Sequence, residues 1–250
     1  MPHGGQYTVG AMPLTALVLA GGRGERLRPF TEDRPKPMVL INDRPLLLYH
    51  LGWLQKGGVT TAYILCGYKH EVIQQYFGDG ETVRMSLHYV VEQEPLGRGG
   101  ALKQGMSLLA PGLETVIVTN GDILTDQSLP ELVQVHREHK GMGTMMLSPL
   151  VSPYGIVAVD GQGRVADFSE KPVLPYWVNA GVYVMDPAIR ERLPDRGDHE
   201  ITTFPALARE GKLYAFRSSA RWLGVDTVKD LTQARELLAG RGPAENPISP

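Results

Sequence analysis

Residues 14–38 read LTALVLAGGRGERLRPFTEDRPKPM, and the way this stretch begins decides the fold class. The apolar run Leu14–Ala20 has the length of one strand buried on both faces, the kind found in a parallel sheet. It ends at Gly21, Gly22 and Gly24, where missing side chains let the chain turn sharply and backbone N–H groups close on an anion. Arg23, Arg26 and Arg28 follow, then Lys36 between Pro35 and Pro37. The two prolines restrict the backbone around Lys36, so its ammonium is held in place. A glycine turn ringed by fixed cations suits a polyphosphate. Neither common phosphate motif is present. No Gly-x4-Gly-Lys-Ser/Thr occurs, and Gly22-Arg23-Gly24 lacks the third glycine of the dinucleotide fingerprint. Arg28-Pro29 and Arg34-Pro35 bar a clean helix start, so phosphates are expected to meet a long basic loop.

Outward from this loop, strands and helices alternate. Met38–Ile41 is extended, and the turn Asn42-Asp43-Arg44 leads to Pro45 as first residue of a helix reaching about Lys56, stopped by Gly57-Gly58. Thr60–Leu65 and Val83–Val91 read as strands. His70–Phe77 has helical spacing, with Val72, Ile73, Tyr76 and Phe77 on one face. Gly99–Leu109 and Leu129–His139 read as helices, and Thr115–Thr119 as a short buried strand. Such repetition implies a parallel sheet with helices on both faces. After about Gly141 the pattern changes to strands: Thr144–Leu150, Gly155–Asp160, Arg164–Ser169 and Val178–Met185, with Gly161-Gln162-Gly163 as a hairpin turn. This half is expected to complete the sheet and line a second pocket.

The 250 residues suffice for one α/β domain with a full core. A net charge of −2 argues against a global basic field for nucleic acid, so the local cations fit a small anionic ligand. The single Cys66 excludes an internal disulfide and reads as a small buried hydrophobe. No apolar run is long enough to span a membrane and no signal peptide is visible, so a cytoplasmic location is expected. Residues 1–12 read as a disordered leader and 241–250 as a frayed tail. His136 and His139 read as solvated surface on a helix, without further metal ligands nearby.

The first stretch, through Met38, resembles the signature of the sugar-1-phosphate nucleotidylyltransferases, the nucleotide-sugar pyrophosphorylases. Later segments match in order: Glu94-Pro95-Leu96-Gly97-Arg98-Gly99-Gly100-Ala101-Leu102, Asn120-Gly121-Asp122, Glu170-Lys171-Pro172, Asn179-Ala180-Gly181-Val182-Tyr183, and Trp222 through Asp226. The resemblance runs from about Leu14 to Leu238. It implies an α/β fold: a single Rossmann-like nucleotidyltransferase domain, residues 13–240, with a mixed, mostly parallel sheet flanked by helices. Residues 13–140 would be the nucleotide-binding half and 141–240 the sugar-binding half. No long tail is left for an acyltransferase solenoid, which disfavours a bifunctional enzyme.

The implied reaction is attack of a sugar 1-phosphate on the α-phosphorus of a nucleoside triphosphate, releasing pyrophosphate and needing mainly position and charge neutralisation. The resemblance implies Arg26, Lys36 and Asp122 as catalytic residues. Nucleotide contacts would come from Ala20, Gly21, Gly22, Arg23, Gly24, Glu92, Gly97 and Gly121, and sugar-phosphate contacts from Tyr154, Gly155, Glu170, Lys171 and Asn179. Mg²⁺ would be the cofactor, held by Asp122 and Asp226.

Asp122 follows a buried strand and a glycine, at the carboxyl end where open α/β sheets bind ligands. Relatives carry Trp-x-Asp-x-Gly-Thr near the end; here Gly224 takes the acid position and Asp226 the glycine position. A shift of two residues in an extended segment returns the acid to the same face. The competing reading makes Asp226 or Thr227 the cap of the following helix. Glu92, which only accepts hydrogen bonds, suits guanine or cytosine, so GTP or CTP is favoured over UTP or dTTP. Arg98 stands where relatives carry threonine. The partners are an NTP and a sugar 1-phosphate, with no nucleic acid and no membrane; a homo-oligomer is left open. The alternative to an enzyme is a catalytically silent regulatory paralogue that binds NDP-sugar.

Overall fold

The computed structural model describes residues 13–239, so the expected leader and tail lie outside the described residues. In chain order the regular elements begin with β1 (Leu14–Leu19), β2 (Leu40–Ile41), β3 (Arg44–Pro45), α1 (Leu46–Lys56), β4 (Val59–Cys66), α2 (His70–Phe77), β5 (Ser86–Val91) and α3 (Gly97–Met106). They continue with β6 (Val116–Asn120), β7 (Ile123–Thr125), α4 (Leu129–His139), β8 (Gly143–Val151), β9 (Ile156–Val159), β10 (Val165–Ser169) and β11 (Val173–Met185). Last come α5 (Thr203–Arg209), β12 (Leu213–Arg217), β13 (Trp222–Gly224) and α6 (Val228–Leu237).

A seven-stranded sheet in the order β12-β8-β11-β6-β1-β4-β5 forms the centre. All its strands run the same way except β11, which pairs antiparallel with β6 and β8. The sheet is therefore mixed and mostly parallel. β1 alternates strictly: Ala16 and Val18 pack in one apolar cluster with α1, α2 and α4, and Leu17 in another with α3 and α5. Both faces are covered, as a continuous apolar strand requires. No helix among the described residues is long and apolar enough to cross a membrane.

The chain steps from β1 to β4 and β5 on one side, then returns to place β6 on the other side of β1. This reversal opens a crevice at the carboxyl ends of β1 and β6, the place where doubly wound sheets receive ligands. A third apolar cluster lies beside it. It joins Leu27, Val39 and Ile41 of the basic loop and β2 to Leu124, Val225, Leu231 and Ala234. This cluster anchors α6 against the basic loop and β2.

Local expectations need correction at several places: β11 begins at Val173 instead of Val178, and α3 spans Gly97–Met106 instead of Gly99–Leu109. Pro45 closes the β2–β3 pair with Leu40 and caps α1 from outside instead of starting it. Residues 81–83 form a 3-10 turn, so β5 begins only at Ser86. On α2 only Ile73 and Phe77 are buried, because the i, i+4 pair meets the core while Tyr76 lies beside it, half exposed. His136 is not solvated surface: it is buried, with Nδ1 3.0 Å from Thr144 Oγ1. It continues the stripe Leu129, Leu132, Val133 along α4, a helical spacing that carries it to the core. Burial lowers its pKa. His139 stacks on Tyr214. Cys66 is the expected buried hydrophobe, its thiol pushed up by burial to about 12.

Candidate active site

The crevice holds a cavity of about 610 Å³. Gly21, Gly22 and Arg26 reach it from the loop after β1, and Asn120 and Asp122 from the end of β6. Asn179 to Gly181 of β11, with Trp222, Gly224 and Asp226, line the same cavity. Residues from both halves of the chain thus line this one cavity.

At one wall Lys36 Nζ lies 2.6 Å from Asp122 Oδ2 and 2.6 Å from Asp226 Oδ1. Arg26 Nη2 lies 2.8 Å from the same Asp226 oxygen. Burial works against the Lys36 charge, but the two carboxylates outweigh it and raise its pKa. Burial likewise opposes ionisation of Asp226, and Lys36 and Arg26 outweigh it, so its pKa falls. The Lys36 ammonium and the Asp226 carboxylate therefore stay charged at neutral pH.

Three devices place Asp226. The β7–β13 pair matches Gly224 with Ile123, and Val225 N–H donates to Asp122 O at 3.0 Å, so the two acids arrive side by side. A Cβ built on Gly224 would stand 3.8 Å from Asp226 Oδ2, so residues 224 and 226 do share a facing. Thr227 and Asp230 form a reciprocal capping box at the start of α6, and Asp230 also accepts the Asp226 N–H. The cap belongs to Thr227 and Asp230, which leaves the Asp226 carboxylate to the cavity.

The glycine turn is held from behind. Gly24 adopts φ +67° and a Cβ there would meet Lys36 Cβ at 2.8 Å, so glycine lets the lysine segment pass. Gly22 faces open space. Ala20 and Gly121 are backbone joints: their N–H groups donate to Leu65 O and Leu19 O, each at 2.9 Å. Arg23 does not line the cavity; its guanidinium sits 5.5 Å from the centre of the Tyr68 ring. Lys69 Nζ donates to Glu32 O at 2.6 Å, tying the far end of the basic loop to the turn after β4.

Glu92 lines the cavity and accepts a hydrogen bond from Leu96 N–H at 3.2 Å. Burial raises its pKa against the pull of that hydrogen bond. A raised pKa means that mild acidification protonates Glu92 before ordinary carboxylates and removes an acceptor. The KM for nucleotide is expected to rise as pH falls from neutrality in the wild type, and Glu92→Gln is expected to lose that dependence while shifting kcat/KM ratios among GTP, CTP and UTP. Unchanged ratios and an unchanged pH profile remove Glu92 from the base site.

The glycines opening α3 also pack against a second stretch of backbone. Gly97 has φ +73°, and a Cβ there would stand 2.7 Å from Gly197 O. Gly97→Ala is expected to cost about 1–3 kcal/mol of stability, as left-handed non-glycine backbone does. Denaturant unfolding measures this; a stability equal to wild type contradicts it.

At the far end Asn179 Nδ2 donates to Glu200 Oε1 at 3.0 Å and lies 2.7 Å from the Tyr183 hydroxyl. Glu200 and Arg98 both line the cavity; sequence reasoning missed Glu200 and weighed Arg98 only as part of the glycine loop near the base. The replacement of threonine by Arg98 was the only sequence signal pointing toward Glu200. Tyr154, Gly155, Glu170 and Lys171 do not line it. They gather at the base of the β9–β10 hairpin, where a Cβ on Gly155 would stand 3.0 Å from Glu170 Oε2 and Lys171 Nζ lies 3.7 Å from Glu170. Tyr154 is 75% exposed there. The structure thus brings together Arg26, Lys36, Asp122, Asp226, Glu92 and Asn179, and leaves this second group outside the cavity.

Among the described residues no three His, Cys, Asp or Glu side chains cluster as a complete metal site. Asp122 and Asp226, opening on a cavity beneath a glycine turn, fit a cation that takes one or two carboxylates and draws its other ligands from phosphate and water.

A family model described as nucleotidyl transferase matches residues 15–240. The mannose-1-phosphate guanylyltransferase catalytic subunit beta of Drosophila pseudoobscura pseudoobscura is 34% identical over 223 residues, 86% of this chain and 60% of that protein. The mannose-1-phosphate guanyltransferase of Emericella nidulans is 34% identical over 87% of this chain and 62% of its own length. The chain thus spans about three fifths of the curated relatives it matches. Among solved structures, HddC from Yersinia pseudotuberculosis superposes with a TM-score of 0.72 at 26% identity, covering 89% of this chain and 98% of HddC. HddC has also been solved in complex with GMP-PN.

Proposed function

The chain belongs to the nucleotidyl transferase family, and from that premise we propose that it transfers a nucleotidyl group from an NTP to a sugar 1-phosphate. The observation that carries this reading is Lys36, held at 2.6 Å from both Asp122 and Asp226 beneath a glycine turn at the sheet's switch point. An oxygen of the sugar phosphate attacks the α-phosphorus; a new P–O bond forms, the bond to the bridging oxygen breaks, and pyrophosphate leaves. No side-chain nucleophile is required.

The glycine turn at Gly21 and Gly22 receives the triphosphate. Arg26 faces the leaving pyrophosphate and stabilises its developing charge. Lys36, placed between the acids, aligns the two reacting phosphates. Asp122 and Asp226 would hold Mg²⁺, which when bound neutralises triphosphate charge. Electrostatic groups fixed in advance contribute most where charge develops in the transition state.

Glu92 offers acceptors to the N1–H and amino group of guanine. Together with the names of the relatives, this favours GTP, and a mannose- or heptose-type sugar 1-phosphate, over CTP. A silent NDP-sugar binder is disfavoured, since binding alone makes no use of both carboxylates and the buried lysine. The site of action proposed is the cytoplasm. Pyrophosphate release from four NTPs against a panel of sugar 1-phosphates, with and without Mg²⁺, tests the reading. Mg²⁺-dependent release with GTP supports it, and no release with any pair overturns it.

A further inference from the structure

Segment 194–200 is strapped to the glycine-rich loop that opens α3. Gly99 N–H donates to Gly197 O and Gly197 N–H to Leu96 O, each at 2.8 Å. A Cβ on Gly99 would stand 2.7 Å from the Pro194 ring and 2.9 Å from His199 N, so the two segments pack backbone against backbone. Three cations cross the same seam. Lys103 meets Asp195 at 2.8 Å and Arg196 meets Glu94 at 2.7 Å, but both pairs are largely exposed and hold little. Arg98 is different. It pairs with Asp198 and, at 2.8 Å, with Glu200, and both Arg98 and Glu200 face the cavity.

The Glu200 carboxylate is unusually constrained. Oε1 accepts from Asn179 Nδ2 at 3.0 Å and from the Tyr183 hydroxyl at 3.1 Å, and Oε2 takes Arg98. Its own N–H donates to Asp198 Oδ1 at 2.9 Å, so Arg98 grips both the side chain and the turn that carries it. A carboxylate offers about four acceptor directions. Three are filled by protein donors, which leaves one for a donor in the cavity. An acceptor held rigidly in a partly desolvated wall favours a ligand that brings an O–H and disfavours one that leaves it unmet.

We propose that Arg98 is a positioning residue for sugar selectivity: it holds Glu200 beside Asn179, where the carboxylate accepts a hydrogen bond from one hydroxyl of the bound sugar 1-phosphate. This rests on the nucleotidyl-transfer reading above and adds the residue that selects among sugars. Arg98→Thr releases Glu200 from its cation, so the acceptor is no longer fixed and selectivity at that hydroxyl fades.

The test is a set of hexose 1-phosphates, each lacking one hydroxyl, assayed with GTP in wild type, Arg98→Thr, Arg98→Lys and Glu200→Gln. The wild type is expected to disfavour one deoxy position by about 10–100-fold in kcat/KM, the worth of a hydrogen bond to a charged group. That single penalty is expected to fall to a few-fold in Arg98→Thr and Glu200→Gln and to be partly kept in Arg98→Lys, with KM for GTP little changed. A melting curve screens each variant for folding; Glu200→Gln and Arg98→Lys carry the test if Arg98→Thr does not fold. Equal penalties in wild type and variants, or a shift in KM for GTP without a shift among sugars, overturn the assignment. Calorimetric binding of the same sugar phosphates reads the penalty independently of turnover. A wild type that binds them selectively but releases no pyrophosphate therefore sinks the transfer reading and not this one.

Discussion

Lys36→Ala is expected to lower turnover by about 10²–10³-fold, the usual cost of removing one preorganised electrostatic contact at a reacting centre. Lys36 Nζ touches both Asp122 and Asp226 at 2.6 Å, and its side chain is only 12% exposed. Alanine leaves two carboxylates facing each other without the cation between them. Their repulsion is eased by solvent, since Asp226 is 45% exposed, so the fold should survive. The backbone course is set by Pro35 and Pro37, by the packing of Gly24 against the lysine segment, and by the apolar cluster around Val39. The loss should therefore appear in kcat, with a melting temperature near wild type. Initial rates of pyrophosphate release and a thermal melt check both halves. A variant with near wild-type turnover and normal melting removes Lys36 from the chemistry.

Asp226→Asn and Asp226→Ala are both expected to lose rate by two orders of magnitude or more and to need more Mg²⁺, with the helix behind them intact. This separates two readings that the sequence left open. Were Asp226 the cap of α6, asparagine would cap nearly as well as aspartate and keep activity. The structure assigns the cap to Thr227 and Asp230, so Asn and Ala should behave alike. The capping loss should instead follow Thr227→Ala, at about 1 kcal/mol, the usual cost of deleting a cap. Titrating Mg²⁺ against initial rate for the Asp226 variants decides the matter. Asparagine that restores what alanine loses, with unchanged Mg²⁺ dependence, rules out a metal ligand at this position.

The sequence by itself determined whatever depends on near neighbours. The apolar run after Leu14 is a strand because its centre, Ala16 to Val18, is buried on both faces of the sheet, and the turn after it needs glycine at Gly24, where φ is +67°. His70–Phe77 and Leu129–His139 are helices at the residues their spacing indicates. The two-residue shift from 224 to 226 keeps its facing because extended backbone repeats every second residue. His136 was legible too, in the stripe formed with Leu129, Leu132 and Val133, had the ring been weighed as a core residue.

Only the tertiary structure decided which of these pieces meet. Arg26 joins Asp226 across 200 residues and Lys36 does so across 190. That contact rests on the three-residue strands β7 and β13, too short to leave a periodic signature, and on an apolar cluster that joins the basic loop to α6. Arg98 meets Asp198 and Glu200 across 100 residues or more because two glycine-bearing backbones pack together, and no local pattern announces that seam. Periodicity and turn chemistry act within a few residues and are written in the order of the chain. A charged site is assembled by sheet order and core packing, which depend on the whole chain at once.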